Sequence, residues 1–135
     1  MEQNDFLKKQ IDVLGRILGK ILSDLLKLKN NGEIQDIIEI TNQAFINELD
    51  LNLNEILHFD NNLIINFLQK EKKFNNDHLE KTAEILFNLS YEHDSKYRIN
   101  ILNKCLTIYT YLNKNSNTYS SERIMRIDKI SELLK

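Results

Sequence analysis

The chain has 135 residues, enough for one domain with a real core and short of what two domains need. Hydrophobic residues make up 41 % and charged residues 28 %, with a formal net charge of −2 that gives no whole-protein field for nucleic acid or an anionic membrane. Proline is absent, glycine occurs three times, and the single cysteine, Cys105, excludes an internal disulfide and fits a reducing compartment.

So few turn-makers among dense leucine and isoleucine point to an all-α fold. The acidic, polar start from Met1 to Asp5 is the wrong opening for a secretory signal. Arg16, Lys20 and Asp24 interrupt the most apolar segment, so no membrane span is expected and the cytoplasm is the default location. Asparagine, lysine and isoleucine are abundant and alanine is scarce. That pattern follows A/T-rich codons, and the scattered asparagines carry no functional weight.

The first element is a long helix capped by Asn4 or Asp5 and running to about Lys29, on the order of 40 Å. Leu7, Ile11, Leu14, Leu18, Ile21, Leu25 and Leu28 form a heptad seam along it. Val13, Ile17, Leu22 and Leu26 widen the seam into a broad apolar stripe. Beside it Gly15, Gly19 and Ser23 recur every four residues. Glycine inside a helix costs roughly 1 kcal/mol against alanine, so such a strip implies that another helix comes close there. The expected interaction surface is therefore Leu14, Gly15, Leu18, Gly19, Leu22 and Ser23, meeting a partner protein or a second copy of the chain as a homodimer. The competing reading has both flanks covered by the helices that follow. Lys27 and Lys29 suit the helix C-terminus, and Asn30-Asn31-Gly32 stops it.

A second helix is expected near Glu33 to Glu48, with Ile34, Ile37, Ile38, Thr41, Ala44, Phe45 and Ile46 inward. The alternation from Leu49 to Leu53 fits either a strand or a turn, and with no partner strand visible Asn52 reads better as the cap of a short helix from Leu53 to His58. Asp60 then caps a helix bearing Leu63, Ile64, Phe67 and Leu68. Asp77 with Glu80 opens a helix with Leu79, Ala83, Leu86, Phe87 and Ser90 on its inner face. Its end near His93 leaves two residues before the next helix, which carries Tyr97, Ile101, Leu102, Cys105, Leu106, Tyr109 and Leu112, so the pair must form an antiparallel hairpin. Ser120 caps a last helix with Ile124, Ile127, Ile130 and Leu134.

Residues 77 to 112 resemble a degenerate tetratricopeptide-type hairpin, with Lys104 to Ile108 standing for that repeat's small-residue segment and no closing proline. Across nearly the whole chain, three motifs resemble an uncharacterised bacterial domain-of-unknown-function family of short helical proteins. They are Gln10-Ile-x-x-Leu-Gly15-x-x-Leu-Gly19-x-x-Leu22, Glu48-Leu-Asp-Leu-x-x-x-x-Ile-Leu57, and Tyr109-x-Tyr-Leu112 with Thr118-Tyr-Ser-Ser-Glu-Arg123. The resemblance implies antiparallel helical hairpins stacked in a tetratricopeptide-like array behind a long N-terminal helix. It implies no activity.

The chemistry candidates are few. Glu55-x-x-His58 has the spacing of di-iron bundles but occurs once, where such a site needs it twice. A metal-dependent or hydrolytic enzyme would have to use His58 or His93 with nearby carboxylates. His93 between Glu92 and Asp94 is more simply a cation at a helix end. Cys105 falls on an apolar face, where a thiol is inert. Arg123, Arg126 and Lys129 make a small basic stripe that reads as solvated, with Arg123 alternatively inward and paired. No cofactor, no metal and no nucleic-acid partner is expected, and the reading is a non-enzymatic helical interaction module that self-associates through its first helix.

Overall fold

A computed structural model describes residues 2–33, 35–92 and 95–135. It is all-α, with seven α-helices, one 3-10 turn and no strand among the described residues. Helix α1 (Glu2–Asn30) begins before the expected caps, so Asn4 and Asp5 lie inside it rather than ahead of it. It closes as the sequence suggests: Lys27 and Lys29 lie in its last turn, and Gly32 takes a left-handed φ of 73° just beyond.

Helix α2 (Ile37–Leu49) starts later than the apolar periodicity proposed, because Asp36 adopts a left-handed φ of 63° and breaks the spiral there. Ile34, part of the expected inner face, lies outside the described residues. Ile37, Ile38, Thr41 and Phe45 are buried as the spacing required. The alternating stretch after α2 is a turn into helix α3 (Leu53–Leu57), whose cap Asn52 accepts the Asn54 N–H on its side chain. Buried Asn42 fixes that turn from α2. Its amide donates to Asn52 Oδ1 at 3.1 Å, and its oxygen accepts the Leu53 N–H at 2.7 Å.

Helix α4 (Asn61–Lys70) follows Asp60, whose side chain makes no cap bond. Of the apolar residues it bears, Ile64 and Leu68 carry the buried face, while Leu63 is 52 % exposed. Helix α5 (Asn76–Leu89) is capped by Asn75 rather than by Asp77 with Glu80. Asn75 accepts the His78 N–H at 2.9 Å, and His78 Nδ1 accepts the Asn75 N–H at 3.0 Å. The imidazole takes the place that glutamate fills in an ordinary capping box, which is why the spacing to Glu80 misled.

The 3-10 turn Ser90–Glu92 leads into α6 (Ser95–Asn115). Cys105, ten residues into α6, donates its thiol to Ala83 O six residues before the end of α5, so α6 runs back along α5 as an antiparallel hairpin. Helix α7 (Ser121–Leu133) has the expected cap, with Ser120 accepting the Arg123 N–H at 3.1 Å. The α5–α6 hairpin is the centre of the molecule: α1 lies on α5, α4 and α7 lie on α6, and α2 rests on α1. One core joins them, from Leu18, Ile21 and Leu25 through Phe45, Ile56 and Ile64 to Leu79, Leu86, Ile108 and Ile130. Burying each such side chain is worth about 1.5–3 kcal/mol, so the apolar stripe of α1 accounts for its position.

Candidate docking site along the first helix

The six residues expected to act together on α1 divide among different surroundings. Leu18 is wholly buried and belongs to the core. Gly15 faces α5, where a side chain would meet Lys81 Nζ at 3.7 Å and the His78 ring at 3.9 Å, both ordinary contacts. Gly19 has nothing within 4 Å, and Ser23 is exposed. No helix backbone of the described chain comes close at either glycine. Leu14 and Leu22 are half-buried and open onto two separate hollows on opposite flanks of α1.

The glycine flank is polar. Leu22 edges a hollow of about 320 Å³ between α1, α5 and α7. There Arg123, only 5 % exposed, holds Glu80 at 2.7 Å, and its guanidinium also donates to the Leu112 and Thr118 carbonyls. One turn on, Arg126 holds Glu84 at 2.6 Å and lies over the Phe87 ring at 4.3 Å. Tyr109 donates its hydroxyl to Glu84 Oε2, and burial followed by the Glu84 charge pushes its ionisation far up. Both carboxylates are clamped by guanidinium, so they brace α7 on α5 and are poorly placed for acid–base work. The basic stripe of the last helix is thereby resolved: Arg123 points inward, Arg126 is paired, and Lys129 alone of the three is exposed.

The other flank is apolar. Three turns of α1 extend past the point where the core ends, leaving Phe6 and Val13 exposed by 61 and 40 % on this flank. Leu7 and Ile11, exposed by 54 and 43 %, lie outside its groove, and Ile11 borders a polar hollow with Gly15, Arg16 and His78. Val13, Leu14 and Ile17 form one wall and floor of an open groove of about 500 Å³, and Leu49 at the end of α2 faces them. Lys9 and Glu48 stand at its edges, with Lys72 and Lys73 from the turn after α4. The Lys72 ammonium donates to the carbonyls of Leu49 and Asp50, closing the C-terminus of α2 beside the groove. Val13 and Ile17 were legible as a widened stripe. Leu49, Lys72 and Lys73 come from distant chain and left no sequence signal.

The two described histidines, His58 and His78, do not assemble a centre. Exposed His58 is engaged through Nδ1 with the Asn54 carbonyl of its own turn. His93 lies outside the described residues. His78 is buried, with Nδ1 in the α5 cap and Nε2 donating to Ile11 O of α1 at 2.9 Å. That pattern requires the neutral ring with its proton on Nε2. Among the described residues no three His, Cys, Asp or Glu side chains could hold a metal ion. Burial, then Glu84, raises the Cys105 thiol well above its ordinary range. Burial lowers Lys104, whose ammonium donates to Asn61 Oδ1 at 2.7 Å. No described helix is long and apolar enough to cross a membrane. Compared with family models, curated proteins and solved structures, the chain matches none.

Proposed function

We propose that the chain is a non-enzymatic helical interaction module that binds protein through the apolar flank of α1. One observation carries this reading: Phe6 and Val13 stay exposed at the rim of an apolar groove, floored by Leu14 and Ile17, that the chain's other helices leave open. Isolated exposed leucines are ordinary, but exposed apolar side chains at the rim of a concave apolar groove are what a partner surface looks like. A second copy of the chain is one such partner, and the open face at Gly19 and Ser23 gives it an alternative place to sit. The kinship with the bacterial family of short helical proteins, and with tetratricopeptide-like stacking, is part of the proposal. It is supported by the α5–α6 hairpin and by hydrophobic spacing, whereas the packing of α1 on α5 departs from a consecutive stack.

The stability of surface variants tests the reading. A face reserved for a partner contributes little to the monomer's own fold, so Val13→Glu should leave the thermal midpoint within a few degrees of the parent. A drop of more than about 10 °C would mean that the flank serves the fold itself, and the reading falls. Light scattering across a concentration series then separates the partners: 16.0 kDa throughout assigns the face to another protein, and twice that mass assigns it to a second copy.

A further inference from the structure

We propose that the occupant of the α1 groove is an acidic amphipathic helix of another protein. This rests on the reading of the α1 flank as a docking surface and adds what docks there. The groove runs from Phe6 to Ile17, about 16 Å along α1, room for roughly three turns of a helix laid against it. One wall is α1, and the other is the end of α2 with the turn after α4, where Lys72 takes the last α2 carbonyl. No strand occurs among the described residues, so no sheet edge is offered to an extended peptide. Recognition must come from side chains, with apolar anchors at i, i+3 or i+4, and i+7 meeting Val13, Leu14 and Ile17.

Charge selects among such helices. Three lysines, Lys9, Lys72 and Lys73, edge the groove against one acid, Glu48. Lys9 and Lys73 are exposed, and neither forms an ion pair among the described residues. Lys73 is held at a left-handed φ of 61° at the turn after α4. A helix with glutamates flanking its apolar stripe would be complementary to this edge on both sides. A second copy would not. Two-fold pairing sets the same lysines against each other, and α1 itself brings Lys8, Lys9, Arg16, Lys20, Lys27 and Lys29 against Glu2, Asp5, Asp12 and Asp24, so it is basic on balance. An anionic bilayer shares the charge preference, but it presents a broad face to a narrow concave site.

The test uses the full chain and two synthetic peptides of roughly 15 residues. Both carry one leucine stripe, flanked by glutamate in the first and by lysine in the second. In fluorescence anisotropy at low salt the glutamate peptide should bind roughly tenfold more tightly, from two or three exposed ion pairs, and the margin should shrink as salt rises. Lys9→Glu with Lys73→Glu should reverse the preference, and Val13→Glu should abolish both complexes. Equal binding of the two peptides, lost in Val13→Glu, would overturn the acidic helix while leaving the docking surface in place. A homodimer abolished by Val13→Glu would overturn it in favour of a second copy. Stronger retention on anionic vesicles than on the glutamate peptide would overturn it in favour of a membrane surface. If neither peptide binds a monomeric protein the inference fails, and the docking surface is then judged on the stability of Val13→Glu alone.

Discussion

Cys105 has no exposed surface, and its thiol donates to the Ala83 carbonyl on the facing helix. Burial, with the Glu84 charge behind it, lifts its ionisation well above the ordinary value of 9.0. The unfolded chain gives up this proton near pH 9, while the folded chain keeps it. The resulting stability is fully present below pH 9 and is lost as pH rises from there toward the folded value. Going from pH 8 to pH 10 should therefore cost the parent about 1.5 kcal/mol more than Cys105→Ala, as read from urea unfolding at each pH. Comparison of slopes removes the cavity that alanine leaves and the shared titrations of Tyr97, Lys104 and Tyr109. Parallel slopes would show that the thiol ionises freely in the fold. The inert thiol was legible because Ile101, Leu102 and Tyr109 flank it at helical spacing. The inward Arg123 was legible only as an alternative, because spacing places a side chain on a face and does not name its counter-charge.

At the scale of elements, α7 shows how polar and apolar contacts share one attachment. Ile130 is its one wholly buried apolar side chain, and Ile124, Ile127 and Leu133 are half-buried. The N-terminal half of α7 is held by Arg123 on Glu80 and the Leu112 carbonyl, with Arg126 on Glu84. Removing Arg123 leaves a buried carbonyl and a half-buried carboxylate without their donor. Arg123→Ala should therefore cost about 2–3 kcal/mol in chemical denaturation. Glu80→Ala strands the 5 % exposed guanidinium and should cost a similar amount. The double variant should lose at least about 1 kcal/mol less than the sum, whereas simple additivity would mean that the pair is not an anchor. Helix identities and most inner faces were legible from period and caps. The starts of α2 and α5 were not. They depend on a left-handed Asp36 and on a histidine closing a capping box, and neither follows from propensity.

For the whole molecule, the contact that the sequence withheld is the longest in reach. Nothing in the periodicity of α1 says whether its stripe meets the next helix or one far downstream, because a seam records that a face is buried and not by what. The structure lays α1 chiefly on α5, with the His78 ring donating to Ile11 O across 67 positions of chain. Leu18, Ile21 and Leu25 thus enter one core with residues from every later helix, so neither the α1–α4 half nor the α5–α7 half owns a core of its own. One shared core should unfold as one unit. All five tyrosines, from Tyr91 to Tyr119, lie in the C-terminal half, so near-ultraviolet circular dichroism reports that half while the far-ultraviolet signal reports all the helices. The two urea transitions should coincide. Leu25→Ala, at a position 1 % exposed and distant in sequence from every tyrosine, should move both midpoints together and cost about 2–5 kcal/mol. A tyrosine transition left in place while the far-ultraviolet midpoint falls would mean that α1 merely lies on the hairpin. Joint movement would mean that α1 is the member through which the two halves become one domain, with its N-terminal turns left over for a partner.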